Sequence, residues 1–398
     1  MIIKPRVRGF ICTNAHPTGC AANVQEQIDY IKGSAIPAGR GPENVLIIGA
    51  STGYGLATRI TAAFGYGANT LGVFYEKPGS EKRTGTAGFY NAAAFEEKAK
   101  AEGLYSKSFN GDAFSDEMKD RVVETIKAEM GKIDLVVYSL ASPKRTDPKT
   151  GELHSSVLKT IGKPHTAKNL NTDTLQVGEV TIDPATDEEI EATVKVMGGA
   201  DWAMWLQALA AADLLAEGVQ TTAYTYLGDK ITWPIYGHAT IGRAKEDLDR
   251  TANELNKQLA PIQGQAQVAV LKALVTQASS AIPVMPLYMS ILFKLMKAQG
   301  THEGCIEQAQ RLFTEGLYSD TPRVDDANRL RMDEKELDPQ LQTEVETVWS
   351  QVTTDNVEAM TDIAGYNADF LKLFGFGVSK VDYDADVSPL VLADFEYA

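Results

Sequence analysis

A short apolar run that leads into spaced glycines constrains the fold of this chain more than any other feature. Residues 45–57 read VLIIGASTGYGLA, and residues 45–48 have the β-branched, apolar composition of a buried parallel strand. Three glycines follow, from Gly49 to Gly55, and a helical pattern continues through residues 58–64. Glycines at such a turn let a pyrophosphate approach the amides at a helix N-terminus. The motif predicts a strand–turn–helix unit that binds a dinucleotide.

An acidic residue stands where the second strand of such a unit would end. Residues 70–74 form the next apolar run, and Glu76 comes 27 residues after Gly49. A carboxylate at this place can accept hydrogen bonds from the adenosine ribose and would repel a 2′-phosphate. We therefore expect NADH rather than NADPH as cofactor. The alternative is a solvated acidic residue beside Lys77.

Strand and helix patterns alternate to about residue 142, which implies a parallel sheet with right-handed crossovers. The fourth apolar strand, residues 135–140, leads into a turn at the carboxyl edge of that sheet. We predict an α/β fold, a Rossmann-like doubly wound parallel sheet flanked by helices. The 398 residues are predicted to form a single elaborated domain. Its parts are an N-terminal extension (1–42), an NADH-binding half (43–142), an inserted loop or hairpin region (143–200) and a catalytic and substrate-covering half (201–398).

Patterns in the second half predict further elements. The helix at 201–217 would pack the two tryptophans Trp202 and Trp205 on the sheet. The apolar stretch 282–296 is either a helix that covers a hydrophobic acyl site or part of the core. The other predicted elements are strands at 220–226 and 268–275, helices from 282 to 373 and a short closing strand at 377–383.

Two tyrosines and a lysine in residues 225–245, TYLGDKITWPIYGHATIGRAK, have a reductase arrangement. Tyr226 and Tyr236 are ten residues apart, and Lys245 follows nine residues later. A phenol has a reference pKa of about 10, and a fixed ammonium group nearby favours the phenolate and eases proton release. A reductase needs such a group when hydride delivery leaves an enolate or alkoxide to be stabilised and protonated.

The spacing of these residues restricts the local structure. Nine residues of continuous helix turn through about 900° and rise roughly 13 Å, which would point Tyr236 and Lys245 to opposite faces. Both can reach one cofactor only if Tyr236 lies in a loop before the helix that carries Lys245. Pro234 and nearby glycines agree with such a loop. A rival pair, Tyr226 and Lys230, has the spacing of ordinary short-chain dehydrogenases, but a glycine and an aspartate between them disfavour a helix there.

The segment TYLGDKITWPIY with its following lysine resembles enoyl-acyl-carrier-protein reductases of the short-chain dehydrogenase superfamily. Those enzymes place six residues between the second tyrosine and the lysine, whereas this chain has eight. The wider spacing, the opening MIIKPRVRGFIC and the segments YSLASP and VTQASSAIPVMPLY are similar to the FabV-type enoyl reductases, also called trans-2-enoyl-CoA reductases. The resemblance spans essentially the whole chain.

The resemblance implies a role for each matching residue. Tyr236 would donate the proton, and Lys245 would hold the nicotinamide ribose and bias the acidity of that tyrosine. Tyr226 would bind the thioester carbonyl of the substrate, and Thr276 would contact both substrate and cofactor. The residues expected to line NADH are Gly49, Ala50, Ser51, Thr52, Gly53, Tyr54, Tyr75, Glu76, Asp112, Ala113, Leu140, Ala141, Lys245, Leu274, Val275 and Thr276.

The implied reaction is hydride transfer from NADH to the β-carbon of a trans-2-enoyl thioester in fatty acid synthesis. The acyl group would be carried on acyl carrier protein or on CoA, and the tyrosine hydroxyls would hold the enolate before it is protonated at the α-carbon. One alternative is a keto-thioester or carbonyl reductase that uses the same tyrosine and lysine. The other is a non-catalytic protein that senses NADH.

Charge and cysteine content limit the partners and the location. With 53 acidic and 38 basic residues the formal charge is −15, so we expect no nucleic-acid partner. We expect no signal peptide, no membrane span and a cytoplasmic monomer with reduced thiols. Cys12, His16 and Cys20 lack a fourth ligand for zinc, so no metal is expected. A basic patch for an acidic carrier protein or a CoA phosphate would draw on Lys144, Arg145, Lys159, Lys163, Lys168, Lys294 and Lys297.

Overall fold

A parallel sheet of eight strands forms the centre of the protein, whose computed structural model describes residues 1–37, 39–140 and 142–397. The strands are β1 (Val7–Arg8), β2 (Ile11–Cys12), β3 (Asn44–Ile48), β4 (Asn69–Phe74), β5 (Ser106–Asn110), β6 (Ile133–Tyr138), β7 (Lys144–Thr146), β8 (Leu153–Ser155), β9 (His165–Asn171), β10 (Gln176–Ile182), β11 (Leu215–Thr225), β12 (Gln265–Val270), β13 (Leu330–Arg331) and β14 (Glu396–Tyr397). The order in the main sheet is β13-β12-β11-β6-β3-β4-β5-β14, and each neighbouring pair is parallel. The predicted doubly wound α/β sheet is confirmed.

Helices connect the strands and cover the sheet. They are α1 (Pro17–Gly33), α2 (Gly53–Ile60), α3 (Ala87–Ala101), α4 (Asp116–Thr125), α5 (Asp187–Met197), α6 (Ala200–Ala211), α7 (Thr240–Leu259), α8 (Gln277–Ser280), α9 (Met285–Gln299), α10 (Cys305–Arg311), α11 (Pro339–Gln351), α12 (Val357–Met360) and α13 (Ile363–Lys372). Among the helices within the described ranges, none combines the length and apolarity that a bilayer crossing requires.

The central strand β3 shows why the sheet is covered on both faces. Val45 and Ile47 point into one apolar core, whereas Leu46 and Ile48 point into a second core on the opposite face. All four side chains are fully buried. A strand buried on both sides reads as a continuous apolar run, and this is the sequence signal found at 45–48.

The chain reverses its direction of strand addition at β3, which lies between β4 and β6. The carboxyl ends of β3 and β6 therefore open onto one crevice, the place where doubly wound sheets bind ligands. The backbone is tightly packed there, because a Cβ atom on Gly49 would lie 2.0 Å from the carbonyl oxygen of Ser139. Gly49 has a φ of 91°, which glycine adopts without strain.

Several predicted elements differ from the observed ones at their ends. The strand predicted at 135–140 ends at Tyr138, and the helix predicted at 201–217 ends at Ala211 because Asp213 has a φ of 56°. The strand predicted at 220–226 is longer and starts at Leu215. The strand predicted at 268–275 ends at Val270. The amides of Lys272 and Ala273 donate to the side chains of Gln308 (3.1 Å) and Glu336 (2.6 Å) instead of to a neighbouring strand.

The closing strand predicted at 377–383 is wrong. Gly377 and Lys380 have φ values of 73° and 63°, and left-handed residues interrupt an extended strand. The last strand of the chain is instead β14, which pairs with β5 and forms one edge of the sheet. The region 143–200 contains two antiparallel hairpins, β7–β8 and β9–β10, together with α5.

Candidate active site

The turn after β3 brings the N-terminus of α2 to the crevice. A Cβ atom on Gly55 would lie 1.9 Å from the carbonyl oxygen of Gly49, so only glycine allows the helix to approach the strand this closely. Among the described residues, α2 has no side chain that caps it, and its N-cap residue Thr52 is extended. The first amides of α2 are therefore available to an anion such as a pyrophosphate.

Glu76 lies just beyond β4, as predicted, and its side chain turns back towards the glycine turn. Its Oε1 accepts a hydrogen bond from the Ser51 hydroxyl (2.7 Å), and a Cβ atom on Gly88 would lie 2.0 Å from the same oxygen. Burial raises the pKa of Glu76, and the bond from Ser51 opposes that shift. Tyr75, also predicted to line the cofactor, is 78 % exposed.

The predicted adenine-side residues lie beyond β5. Asp112 is exposed and its Oδ1 accepts from the amide of Phe114 (3.0 Å). Ala113 is buried, and its carbonyl accepts from Lys119 (3.1 Å). Leu140 is half-buried at the end of the turn after β6, and Ala141 lies outside the described residues.

The two predicted active-site tyrosines are in contact. Tyr226 directly follows β11, and Tyr236 lies in the turn before α7. Their rings pack edge to face, with centroids 5.1 Å apart and planes at 82°. Gly242 allows this turn to lie against α7, because a Cβ atom there would be 1.9 Å from the carbonyl oxygen of Gly237. The turn places Tyr236 before the helix that carries Lys245, as the spacing predicted.

Lys245 lies in the second turn of α7 and is half-buried. Its Nζ donates to the carbonyl oxygen of Tyr224 (3.3 Å), at the end of β11. Burial lowers the pKa of Lys245 to about 8, and the nearby Asp249 opposes that shift. Burial raises the pKa of Tyr236. The predicted effect of Lys245 on the acidity of Tyr236 stays a prediction.

The rival lysine points away from the tyrosines. Lys230 forms an ion pair with Glu346 on α11 (2.8 Å), and its side chain is 67 % exposed. It therefore has a structural partner at the surface, while Lys245 is packed against the end of the strand that leads to Tyr226.

The segment after β12 faces the glycine turn. Leu274 and Val275 are buried. Thr276 caps α8 by accepting from the amide of Ser279 (3.1 Å), and its Cγ2 lies 3.5 Å from the position of a Cβ on Gly53. Thr276, predicted to meet the cofactor from the far side, therefore lies beside the glycine turn.

These features place a glycine turn, two phenols and a half-buried amine at one edge of the sheet. Three family models match the chain: the catalytic region of trans-2-enoyl-CoA reductase over residues 83–318, its NAD(P)H-binding domain over 2–81, and an enoyl reductase FAD-binding domain over 324–387. The chain belongs to the trans-2-enoyl-CoA reductase family. The resemblance seen in the sequence is confirmed.

Relatives of this family member match along their full length. A protein of Saccharophagus degradans named enoyl-[acyl-carrier-protein] reductase [NADH] is 67 % identical over 396 residues, which cover 100 % of both chains. The Treponema denticola trans-2-enoyl-CoA reductase, solved in complex with NAD, is 51 % identical with a TM-score of 0.93 and 98 % coverage of both chains. The Clostridium acetobutulicum trans-2-enoyl-CoA reductase, solved in complex with NADH, is 45 % identical with a TM-score of 0.95 and the same coverage.

The range that matches the FAD-binding model does not fit a flavin dinucleotide in this reductase-family member. Its two longer helices, α11 and α13, begin at aspartates that already occupy their first amides. Asp338 accepts from Gln340 (3.0 Å) and Leu341 (2.9 Å), and Asp362 accepts from Gly365 (3.2 Å). These carboxylates would repel a pyrophosphate, in contrast to the uncapped start of α2.

Sequence reasoning missed a buried carboxylate from that same range. Glu336 is fully buried, and its Oε1 lies 2.9 Å from the hydroxyl of Tyr226 and 2.8 Å from that of Tyr288. In the sequence it is one acidic residue among several in RMDEKELD, so its burial could not be recognised. Lys272, also buried, was missed for the same reason, since its neighbours are decided by distant packing.

Cys12, His16 and Cys20 are buried near the N-terminus of the chain. His16 caps α1, because its Nδ1 accepts from the amide of Gly19 (3.1 Å). Within the described ranges no three histidine, cysteine or acidic side chains come close enough to hold a metal ion.

Proposed function

We propose that this protein reduces the trans-2 double bond of enoyl thioesters with NADH, giving saturated acyl thioesters in fatty acid synthesis. The observation that carries the proposal is the edge-to-face pair of Tyr226 and Tyr236, because Tyr226 follows β11, the strand whose Tyr224 carbonyl accepts from Lys245. Strand β11 is next to β6, and β6 is next to β3, which leads into the glycine turn. Relatives whose names are enoyl-[acyl-carrier-protein] reductase [NADH] are 65–67 % identical over 98–100 % of this chain, which supports the same activity.

The residues at the sheet edge fit NADH. The open amides at Thr52 and Gly53 suit its pyrophosphate, and Glu76 suits a ribose without a 2′-phosphate. Asp112 and Ala113, which follow β5, would contact the adenine. The other residues predicted to line NADH follow four strands of the sheet: Gly49 to Tyr54 after β3, Tyr75 after β4, Leu140 after β6 and Leu274 to Thr276 after β12. When bound, NADH supplies the hydride that adds to the β-carbon of the substrate.

Residues of the chain would stabilise the negative charge of the enolate and supply the proton for the α-carbon. Hydride addition places negative charge on the thioester oxygen, and hydroxyl donors aimed at that oxygen stabilise it. Tyr226 is proposed to bind the carbonyl, and Tyr236 to give its proton for the α-carbon. Lys245 would contact the nicotinamide ribose and, when charged, ease proton loss from Tyr236. Thr276 would contact the substrate from the opposite side.

The apolar helix α9 suits an acyl substrate. Ten of its fifteen residues are buried, so the stretch predicted as either acyl cover or core is largely buried. Its first residue follows Val284, which has a φ of 75° and donates its amide to Asn169 (3.0 Å). We propose that the start of α9, which follows the loop carrying Thr276, lines the acyl chain.

For the carrier we propose acyl carrier protein, the carrier in the printed names of relatives 57–67 % identical to this chain. Most of the predicted basic patch is already engaged within the protein. Lys159 pairs with Glu189 (2.7 Å) and Lys297 with Asp362 (2.6 Å). Lys168, Lys294 and Arg145 donate to backbone carbonyls. Lys144 and Lys163 are exposed members of the set that a carrier could contact.

A monomeric state and a cytoplasmic location belong to the same proposal. The three cysteines, Cys12, Cys20 and Cys305, are unpaired thiols, which suits a reducing compartment. Sedimentation of the purified protein and fractionation of the source cells would test these two points.

The deciding experiment measures the loss of NADH absorbance with crotonyl-CoA beside acetoacetyl-CoA, with NADPH in place of NADH as a control. Oxidation with crotonyl-CoA but not with acetoacetyl-CoA is expected. Activity confined to acetoacetyl-CoA would indicate a keto reductase. NADH binding without turnover of either thioester, or of crotonyl-acyl carrier protein, would indicate a sensor. A higher kcat/KM for the carrier-protein thioester than for the CoA thioester would support the proposed carrier.

A further inference from the structure

A buried carboxylate stands directly behind one of the active-site tyrosines. Glu336 is 0 % exposed, and its Oε1 lies 2.9 Å from the hydroxyl oxygen of Tyr226. The two residues are 110 positions apart in the sequence. Tyr226 is proposed to hold the substrate through its hydroxyl, which has a single proton. A buried carboxyl in contact with that hydroxyl affects which acceptor receives the proton.

Glu336 has two further hydrogen-bond partners besides Tyr226. Its Oε2 accepts from the amide of Ala273 (2.6 Å). Its Oε1 accepts from the hydroxyl of Tyr288 (2.8 Å), which in turn accepts from the side-chain amide of Gln342 (3.1 Å). The amide nitrogen of Gln342 can only donate, so Tyr288 accepts from it and keeps its own proton for the bond to Glu336.

The direction of the remaining hydrogen bond depends on the proton of Glu336. When the carboxyl is ionised it can only accept, so Tyr226 donates to it and has no proton for a thioester carbonyl. When the carboxyl is protonated on Oε1 it donates to the oxygen of Tyr226. The hydroxyl proton of Tyr226 can then turn away from Glu336, either to the hydroxyl of Thr232 (3.5 Å) or to a thioester carbonyl, and the other bonds of Glu336 are kept.

We propose that Glu336 is a positioning residue that, in its protonated form, donates to Tyr226 and thereby directs the hydroxyl of Tyr226 at the thioester carbonyl. Glu336 touches neither substrate nor cofactor in this scheme and acts through Tyr226. The inference rests on the proposed role of Tyr226 in enoyl thioester reduction.

Two opposing effects act on the proton of Glu336. Burial raises its pKa, and the nearby Lys272 opposes that shift. Burial lowers the pKa of Lys272 itself to about 8. Tyr226, Tyr288 and Tyr54 are the other titratable groups facing the cluster, and burial raises the pKa of each, so they stay neutral. Glu303 acts on Lys272 from the side of α10.

The test compares the pH dependence of kcat/KM for crotonyl-CoA in the wild type, Glu336→Gln and Glu336→Ala. A glutamine amide nitrogen in place of Oε1 can donate to Tyr226 at every pH, although it also faces the hydroxyl of Tyr288. We expect Glu336→Gln to keep kcat/KM within about threefold at the wild-type optimum and to lose the fall that accompanies ionisation of Glu336. Glu336→Ala, which cannot donate, should lose about tenfold or more across the range.

Asp201→Asn is the matched control for the loss of a buried carboxyl. Asp201 is 1 % exposed, accepts from the hydroxyl of Tyr138 (3.1 Å) and pairs with Lys119 (2.8 Å). Its partner Tyr138 belongs to the core on the other face of the sheet. This variant should lose stability but keep the wild-type pH profile. A Glu336→Gln profile with the same fall as the wild type, or activity as low as that of Glu336→Ala, would overturn the proposal.

A second readout does not depend on turnover. Calorimetry of butyryl-CoA binding to the NADH-loaded protein, in buffers of different ionisation enthalpy, measures protons taken up. Uptake above the pKa of Glu336 in the wild type and none in Glu336→Gln would support the positioning role even if the natural reaction were not enoyl reduction. Equal uptake in both proteins would contradict it. Failure of the wild type to oxidise NADH with enoyl thioesters would instead count against the proposed function.

Discussion

The ring of Tyr236 meets the ring of Tyr226 edge to face, with centroids 5.1 Å apart and an interplanar angle of 82°. Aromatic pairs favour this geometry, so each ring limits the movement of the other. The contact joins a residue at the end of a strand to a residue in a turn, and it brings two phenols to one site.

Replacing Tyr236 with phenylalanine should lower turnover by about 100-fold or more, because the proposed proton donor is lost while the ring packing is kept. NADH affinity, measured by fluorescence titration, should stay close to that of the wild type. Tyr224→Phe is the matched control, since Tyr224 bonds Thr58 (2.6 Å) through its hydroxyl and contacts Lys245 only through its carbonyl. Normal turnover in Tyr236→Phe would reassign the acid.

Replacing Glu76 with alanine should raise the use of NADPH relative to NADH by about tenfold, because removing the carboxylate removes its repulsion of a 2′-phosphate. The measurement is the ratio of kcat/KM for the two cofactors. Glu81→Ala, at an exposed position in the same segment, should leave the ratio unchanged. An unchanged ratio in Glu76→Ala would remove its proposed contact with the ribose.

The affinity for NADH should fall as pH rises through about 8, because burial lowers the pKa of Lys245 to about 8. Below that pH the ammonium group forms charge-assisted hydrogen bonds, and above it these weaken because the amine is neutral. Lys245→Met should bind NADH more weakly at pH 7 and show no such fall. Lys257→Met, at an exposed position of the same helix, should behave like the wild type. A fall that persists in Lys245→Met would assign the titration to another group.

Replacing Gly55 with alanine should lower the free energy of unfolding by about 1–3 kcal/mol or more, because the added Cβ would lie 1.9 Å from the carbonyl of Gly49. NADH binding should weaken with it, since α2 must move away from the turn. Thermal unfolding with and without NADH measures both effects. Gly178→Ala is the control, as no atom lies within 4 Å of its added Cβ. Equal melting temperatures for the two variants would contradict the tight approach.

Local patterns in the sequence predicted the central part of the fold. Strands β3 and β4 were predicted almost to the residue, because a strand covered on both faces must be apolar at successive positions. Element ends were less accurate. The end of β12 is decided by the side chains of Gln308 and Glu336, which bind the amides of Lys272 and Ala273. Such partners lie far along the chain and leave no local signal.

The sequence by itself determined the dinucleotide turn, the loop position of Tyr236 and the family, since each depends on residue types at short spacings. Only the tertiary structure decided that Glu336 contacts Tyr226, that Lys245 bonds the carbonyl of Tyr224, and that β14 closes the sheet beside β5. It also decided the pKa of Lys245. Burial and long-range contacts set these properties, and both arise only when segments distant in the chain pack together.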